Sequence, residues 1–150
     1  MVRWDQKAGA YRLELDDGFR QLIAELMEQF AALLEDPGAP MLRRLFPPAY
    51  SDPSDVEHQE EYRRLMQEDL VERHRAELEL VASTARQSTL TEEQLLAWSR
   101  AINSVRLALG TYLDVSEDQQ SKRAETIEES TYHWLSLLLE ETIDALSRHT

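Results

Sequence analysis

The stretch Leu90-Thr91-Glu92-Glu93-Gln94-Leu95-Leu96-Ala97-Trp98-Ser99-Arg100-Ala101-Ile102-Asn103-Ser104-Val105-Arg106-Leu107-Ala108-Leu109-Gly110 decides the fold. It opens on a capping box, in which the Thr91 hydroxyl serves the backbone three residues on and Gln94 reaches back to the Thr91 amide. Leu90 and Leu95 flank the box as a hydrophobic staple. Behind it, Leu95, Trp98, Ile102, Val105 and Leu109 recur at alternating steps of three and four, which puts them on one stripe of a helix. Gly110 stands where a helix C-cap would.

Upstream, Ser54-Asp55-Val56-Glu57 fits a second capping box and opens a long helix to about Arg86. Its apolar face drifts. Tyr62, Leu65 and Met66 share one arc, whereas Leu70, His74, Leu78, Val81 and Ala85 share another, as in a helix that bends or changes neighbours. Residues 37–54 before it concentrate the prolines of the chain. Met41, Leu42, Leu45 and Phe46 make an apolar patch there, with Pro40 suited to the first position of a short connector helix. Pro47-Pro48-Ala49-Tyr50 then forces an extended exit, so an ordered connector packed on the core is expected rather than a domain boundary.

An earlier helix is capped by Asp16 or Asp17. Phe19, Leu22, Ile23, Leu26, Met27, Phe30, Leu33 and Leu34 lie on one face of it. It stops at Glu35-Asp36-Pro37-Gly38. Residues 1–16 read as a hairpin or strand: Tyr11, Leu13 and Leu15 alternate with Arg12, Glu14 and Asp16, Val2 and Trp4 continue the alternation, and Ala8-Gly9-Ala10 supplies the turn. At the other end, a last helix from about Ser121 to Arg148 is apolar on two sides. Ile127, Thr131, Trp134 and Leu138 form one stripe, and Tyr132, Leu135, Leu139, Ile143 and Leu146 form the other, which predicts a central position. The expected fold is therefore mainly α, a single domain over residues 1–150. It comprises a bundle of four substantial helices, a short connector helix and a small N-terminal β hairpin.

Composition narrows function. The chain of 150 residues has no cysteine, which excludes disulfides, thiolate nucleophiles and cysteine-ligated metals. Sixteen basic residues against 29 acidic ones give a formal charge of −13, with each third of the chain net acidic. That balance argues against nucleic acid and anionic membrane as partners. Met1 to Ala10 has no apolar core of a signal peptide. The longest apolar run, Trp134 to Leu139, falls far short of the ~20 residues that cross a bilayer. A cytoplasmic protein without membrane association is expected.

Catalytic and metal chemistry find no foothold. No Glu precedes His58, His74, His133 or His149 by three residues, so the ligand pattern of a di-iron bundle is missing. Glu129 and His133 stand one turn apart as a solvated pair, and His74 reads as a hydrogen-bonded core histidine. No glycine-rich phosphate loop and no Gly-x-Ser-x-Gly elbow occurs. The reading is a protein that is not an enzyme, with no catalytic residues, no metal ligands and no cofactor. Partner-binding candidates remain. Arg43 and Arg44 precede the aromatic residues Phe46 and Tyr50, a pairing typical of protein hot spots. Asn103 and Arg106 sit beside the apolar stripe of their helix and need polar partners there.

Leu45-Phe46-Pro47-Pro48-Ala49-Tyr50, Asn103-Ser104-Val105-Arg106-Leu107-Ala108-Leu109-Gly110-Thr111 and Tyr132-His133-Trp134-Leu135 resemble, in order and spacing, the actinobacterial family called domain of unknown function 2017. The resemblance covers nearly the whole chain, and an excess of arginine over lysine suits a GC-rich actinobacterium. It implies no established enzymatic activity. It also implies a neighbourhood with the adaptor that feeds the Clp protease and, in some members, regulation of the oxidative-stress response through a cysteine pair. The thiol switch does not carry over to a chain without cysteine. The expected function is a non-enzymatic regulatory or interaction module, a homodimer that contacts a protein partner linked to the Clp protease or to transcription. The alternative is a transcription regulator of the oxidative-stress type that contacts DNA or the transcription machinery. Its best basic helix, with Arg63, Arg64, Arg73, Arg75 and Arg86, is diluted by Glu60, Glu61, Glu68, Asp69, Glu72, Glu77 and Glu79.

Overall fold

The N-terminal alternation forms two antiparallel strands, β1 (Val2–Asp5) and β2 (Ala10–Leu13), in a computed structural model that describes residues 1–36, 38–45, 56–117 and 126–149. The register sets Val2 against Leu13 and Trp4 against Tyr11, so the apolar residues share one face. Trp4 meets Tyr11 edge-on, with ring centroids 5.0 Å apart. The other face sets Arg3 against Arg12, a like-charge pair that destabilises a ladder. Each charge is offset by a carboxylate: Arg3 by Glu14 and Arg12 by Asp5, both at 2.7 Å. Asp5 also accepts from the amides of Lys7 and Ala8, and Gly9 turns the chain at φ +64°. The Arg12 hydrogen bond, aided by the Ala8 amide, holds the Asp5 carboxyl below its ordinary range.

A third strand, β3 (Thr89–Leu90), adds to β2 with Tyr11 opposite Leu90 and gives the order β1-β2-β3. The expected hairpin is thus a three-stranded sheet. Two residues are too few to show an alternation, which is why periodicity missed β3.

The helix α1 (Asp17–Leu33) is capped by Asp16, whose carboxylate accepts the Phe19 amide at 2.9 Å. Ile23, Met27 and Phe30, with Leu34 just beyond, are buried. The connector forms a short 3-10 turn at Pro40–Leu42 that seats the fully buried Leu42 against the bundle. Next comes α2 (Val56–Thr84), whose drifting face has a plain outcome. Leu78, Val81 and Ala85 are in the core, whereas Tyr62, Leu65 and Met66 are 64%, 60% and 41% exposed. The expected Ser54-Asp55 cap lies outside the described residues, as do Phe46 and Tyr50 of the connector.

In α3 (Glu92–Glu117) the capping box forms as expected. The Thr91 amide donates to Gln94 Oε1 at 3.0 Å, and the Gln94 amide donates to Thr91 Oγ1 at 3.1 Å. Gly110 does not end the helix, which runs on to Glu117. The last helix, α4 (Ile127–His149), packs along α3 and against β1. Its predicted central place belongs instead to α3, which touches α1, α2, α4, the connector turn, β2 and β3. Of the two stripes on α4, Leu135, Leu138 and Leu139 are buried, while Ile143 stays half exposed. The second helical neighbour of α4 is a slight one, α1, where Phe19 stacks on Trp134 with ring centroids 4.8 Å apart.

Two polar contacts lock these elements. Trp98 is fully buried on α3, and its indole N–H donates to Thr84 Oγ1 at the end of α2 at 2.7 Å. Arg20 on α1 donates to four main-chain carbonyls: Leu13, Leu15, Ala85 and Gln87, at 2.6–2.9 Å. It therefore caps the exit of α2 while holding the strand that precedes its own helix. Replacing Arg20 with Ala leaves these carbonyls without that donor, and the expected loss is about 3 kcal/mol. Urea denaturation followed by circular dichroism checks this. Arg20→Lys, which keeps the charge but not the planar fork, is expected to recover only part of the loss.

Candidate functional site

Asn103, Arg106, Gly110 and Asp114 are spaced by three, four and four residues, so they line one stripe of α3. The connector reaches this stripe through Arg44, whose Nη2 donates to Asp114 Oδ2 at 2.6 Å. Both partners are about half exposed, so the pair fixes position more than it adds stability. Tyr132 of α4 closes the arrangement. A Cβ built on Gly110 would stand 3.2 Å from Tyr132 Cε2 and 3.5 Å from Arg44 Nη1, so glycine makes the notch that admits both side chains.

Arg106, one turn before the notch, is half-buried, and its Nη2 donates to Asn103 Oδ1 at 3.1 Å. The guanidinium carbon lies 6.0 Å from the Tyr132 ring centroid, within cation–π range. The Arg106 Nε–H is buried and meets no acceptor among the described residues. Three predicted site residues, Arg44, Asn103 and Arg106, therefore come together. Arg43 does not join them; it is exposed and forms no ion pair among the described residues. Phe46 and Tyr50 lie outside the described residues. Sequence reasoning missed Gly110, Asp114 and Tyr132. The i+4 steps from Arg106 to Gly110 and on to Asp114 were a usable signal, but the arrival of Tyr132 from another helix was not.

A second polar cluster joins α2 to α3. Ser104 Oγ lies 3.3 Å from His74 Nδ1, a nucleophile and base at contact distance, but Ser104 is only 5% exposed and its hydroxyl already donates to the Arg100 carbonyl at 3.0 Å. The expected hydrogen bond of His74 forms, but the ring is half-buried at the edge of the core rather than within it. Burial, with the nearby Arg73 charge, pushes His74 below its ordinary value of 6.5. One turn on, burial pushes Glu77 up, opposed by Arg100 and Arg73. Among the described residues, no three His, Asp or Glu side chains converge as metal ligands, and no helix is long and apolar enough to cross a membrane.

Residues 1–146 match the family described as "Domain of unknown function (DUF2017)". The chain is similar to proteins named "Oxidative stress regulator AosR" from Mycobacterium bovis and from two strains of Mycobacterium tuberculosis. Each is 28% identical over 156 aligned positions that cover 89% of this chain and 72% of the relative. No solved structure matches.

Two measurements probe this geometry. Exchanging Gly for Ala inside a helix ordinarily gains about 0.5–1 kcal/mol. Gly110→Ala is expected to gain less because the methyl meets the Tyr132 ring, and comparison of urea midpoints reads the shortfall. His74 is depressed in the folded state, so the unfolded chain takes up its proton first as pH falls through 6.5, and stability drops. Between about pH 7.5 and about pH 5.5 the His74→Gln variant is expected to lose less stability than the parent.

Proposed function

The chain belongs to the DUF2017 family, and we propose that it is a non-enzymatic regulatory module acting through contact with another protein at the Arg44–Arg106 stripe. The observation that carries this reading is the convergence of two guanidinium groups and a tyrosine ring at the junction of the connector, α3 and α4. Arginine and tyrosine are enriched at the centres of protein interfaces, where planar groups bury area at low entropic cost. The relatives named as oxidative-stress regulators support the regulatory part of the proposal. A chain without cysteine has no thiol to oxidise, so regulation here works by contact. A partner from the Clp protease system or from the transcription machinery, in the cytoplasm, is the expectation to test.

Direct DNA contact is the weaker reading. Two of the four arginines of α2 are engaged by carboxylates of the same helix, Arg73 by Asp69 at 2.6 Å and Arg75 by Glu72 at 3.0 Å. The stripe on α3 sits in a chain of charge −13. Self-association is the other part of the proposal, supported by Tyr62, Leu65 and Met66 on the outer side of α2, which leave apolar surface uncovered among the described residues.

The test is affinity capture from the native host with the parent and with Arg44→Gln/Arg106→Gln. A Clp or transcription component retained by the parent and lost by the variant is the expected result. Retention that ignores the two arginines overturns the site. Light scattering at micromolar concentration is expected to show a dimer, and a strict monomer removes self-association. A gel shift at about 50 mM salt, where non-specific affinity is high, is expected to show no retardation.

A further inference from the structure

Arg106 is a half-buried cation in a protein with 13 surplus negative charges, yet no carboxylate pairs with it among the described residues. Among the described residues its one hydrogen-bonded partner is the neutral amide oxygen of Asn103. A guanidinium has five N–H donors, and the buried Nε–H has no acceptor among the described residues, which is unfavourable and leaves the guanidinium charge poorly compensated. Other arginines of the chain do find their acceptors: Arg3, Arg12, Arg44, Arg73, Arg75 and Arg148 each meet a carboxylate. Arg106 differs from them in being half-buried with a buried N–H that has no acceptor among the described residues.

Resting on the protein-contact reading above, we infer that the Arg106 notch binds a carboxylate supplied by an acidic segment of a protein partner. Charge decides the chemistry. Arg106 and Arg44 bring two positive charges, and Asp114 already offsets one. The notch thus carries one net positive charge, which suits a single carboxylate. A phosphate dianion would meet the Asp114 carboxylate with a charge left over. Arg106 keeps the N–H groups of Nη1 and the second N–H of Nη2 for the end-on approach of a carboxylate, and its plane is already oriented by Asn103 on one side and by the face of Tyr132 on the other. The acidic surface of the chain opposes the approach of an acidic peptide over distances that salt screens, whereas the half-buried contact itself is screened much less.

The test uses the full chain and a fluorescein-labelled peptide in which glutamate alternates with leucine, read by anisotropy. Its counterpart with lysine in place of glutamate is the control, and inorganic phosphate is the competitor. The glutamate peptide is expected to bind and the lysine peptide to fail. Phosphate should not displace the glutamate peptide at equal concentration. Arg106→Gln should weaken binding about tenfold, and Arg106→Lys should not restore it, because the ammonium lacks the fork. Arg44→Gln, at a half-exposed position, keeps the test informative if Arg106→Gln unfolds by circular dichroism, and it too should weaken binding. Raising salt from about 10 mM to about 100 mM should leave the affinity undiminished.

Failure of the parent to bind the glutamate peptide, or equal binding by the folded variants, overturns the inference. So does a loss of stability in Arg106→Gln with binding unchanged, which would mean that the Nε–H is satisfied within the chain. If captured protein still depends on Arg106 while the peptide does not bind, the contact site stands and the carboxylate chemistry falls. If capture ignores Arg106, the contact site itself falls.

Discussion

The four hydrogen bonds from the Arg20 guanidinium to the carbonyls of Leu13, Leu15, Ala85 and Gln87 hold strand β2, the start of α1 and the exit of α2 at one point. The last carbonyls of a helix have no partner within it, and the α2 exit is where the chain must turn toward β3 and α3. With that corner fixed, Thr89 and Leu90 fall in register with β2, and the Thr91–Gln94 box starts α3 directly over the sheet. Trp98 then drops into the core with its indole N–H on Thr84. The position of α3, and so of every residue on its polar stripe, follows from this corner.

Arg20 and Arg106 show the two outcomes open to a part-buried arginine. Arg20 spends its donors on the main chain and behaves as a structural joint. Arg106 is held in a defined orientation by Asn103 and Tyr132 while one donor stays unused among the described residues. A buried polar group without a partner is rare in folded proteins, since desolvating it without return is unfavourable. Arg106 sits beside a glycine notch that admits a tyrosine and a second arginine, the arrangement on which the proposal of a contact site rests. Regulation by contact also accords with a composition that leaves no thiol to sense oxidants.

The elements with dense local signals were legible in the sequence. Asp16, the Thr91–Gln94 box and the alternation around Tyr11 each encode structure over a few neighbouring residues, through hydrogen bonds and periodicities that need no knowledge of the rest of the chain. Of the site, Arg44, Asn103 and Arg106 were visible because polar residues beside an apolar stripe require partners. Gly110 was misread as a helix end, because a glycine in a helix signals a terminus unless a neighbour needs the room of its missing side chain.

The sequence by itself determined the helices, the caps at Asp16 and Thr91, the N-terminal strands, the acidic balance and the exclusion of thiol chemistry, since all of these rest on composition or on contacts between near neighbours. Only the tertiary structure decided that α3 and not α4 is central, that β3 completes the sheet, and that Tyr132 and Arg44 meet at Gly110. Those outcomes depend on which surfaces face one another across distant parts of the chain. A helix with two apolar stripes can leave part of one in water, as α4 does at Ile143, and no local pattern reveals which stripe will find a neighbour.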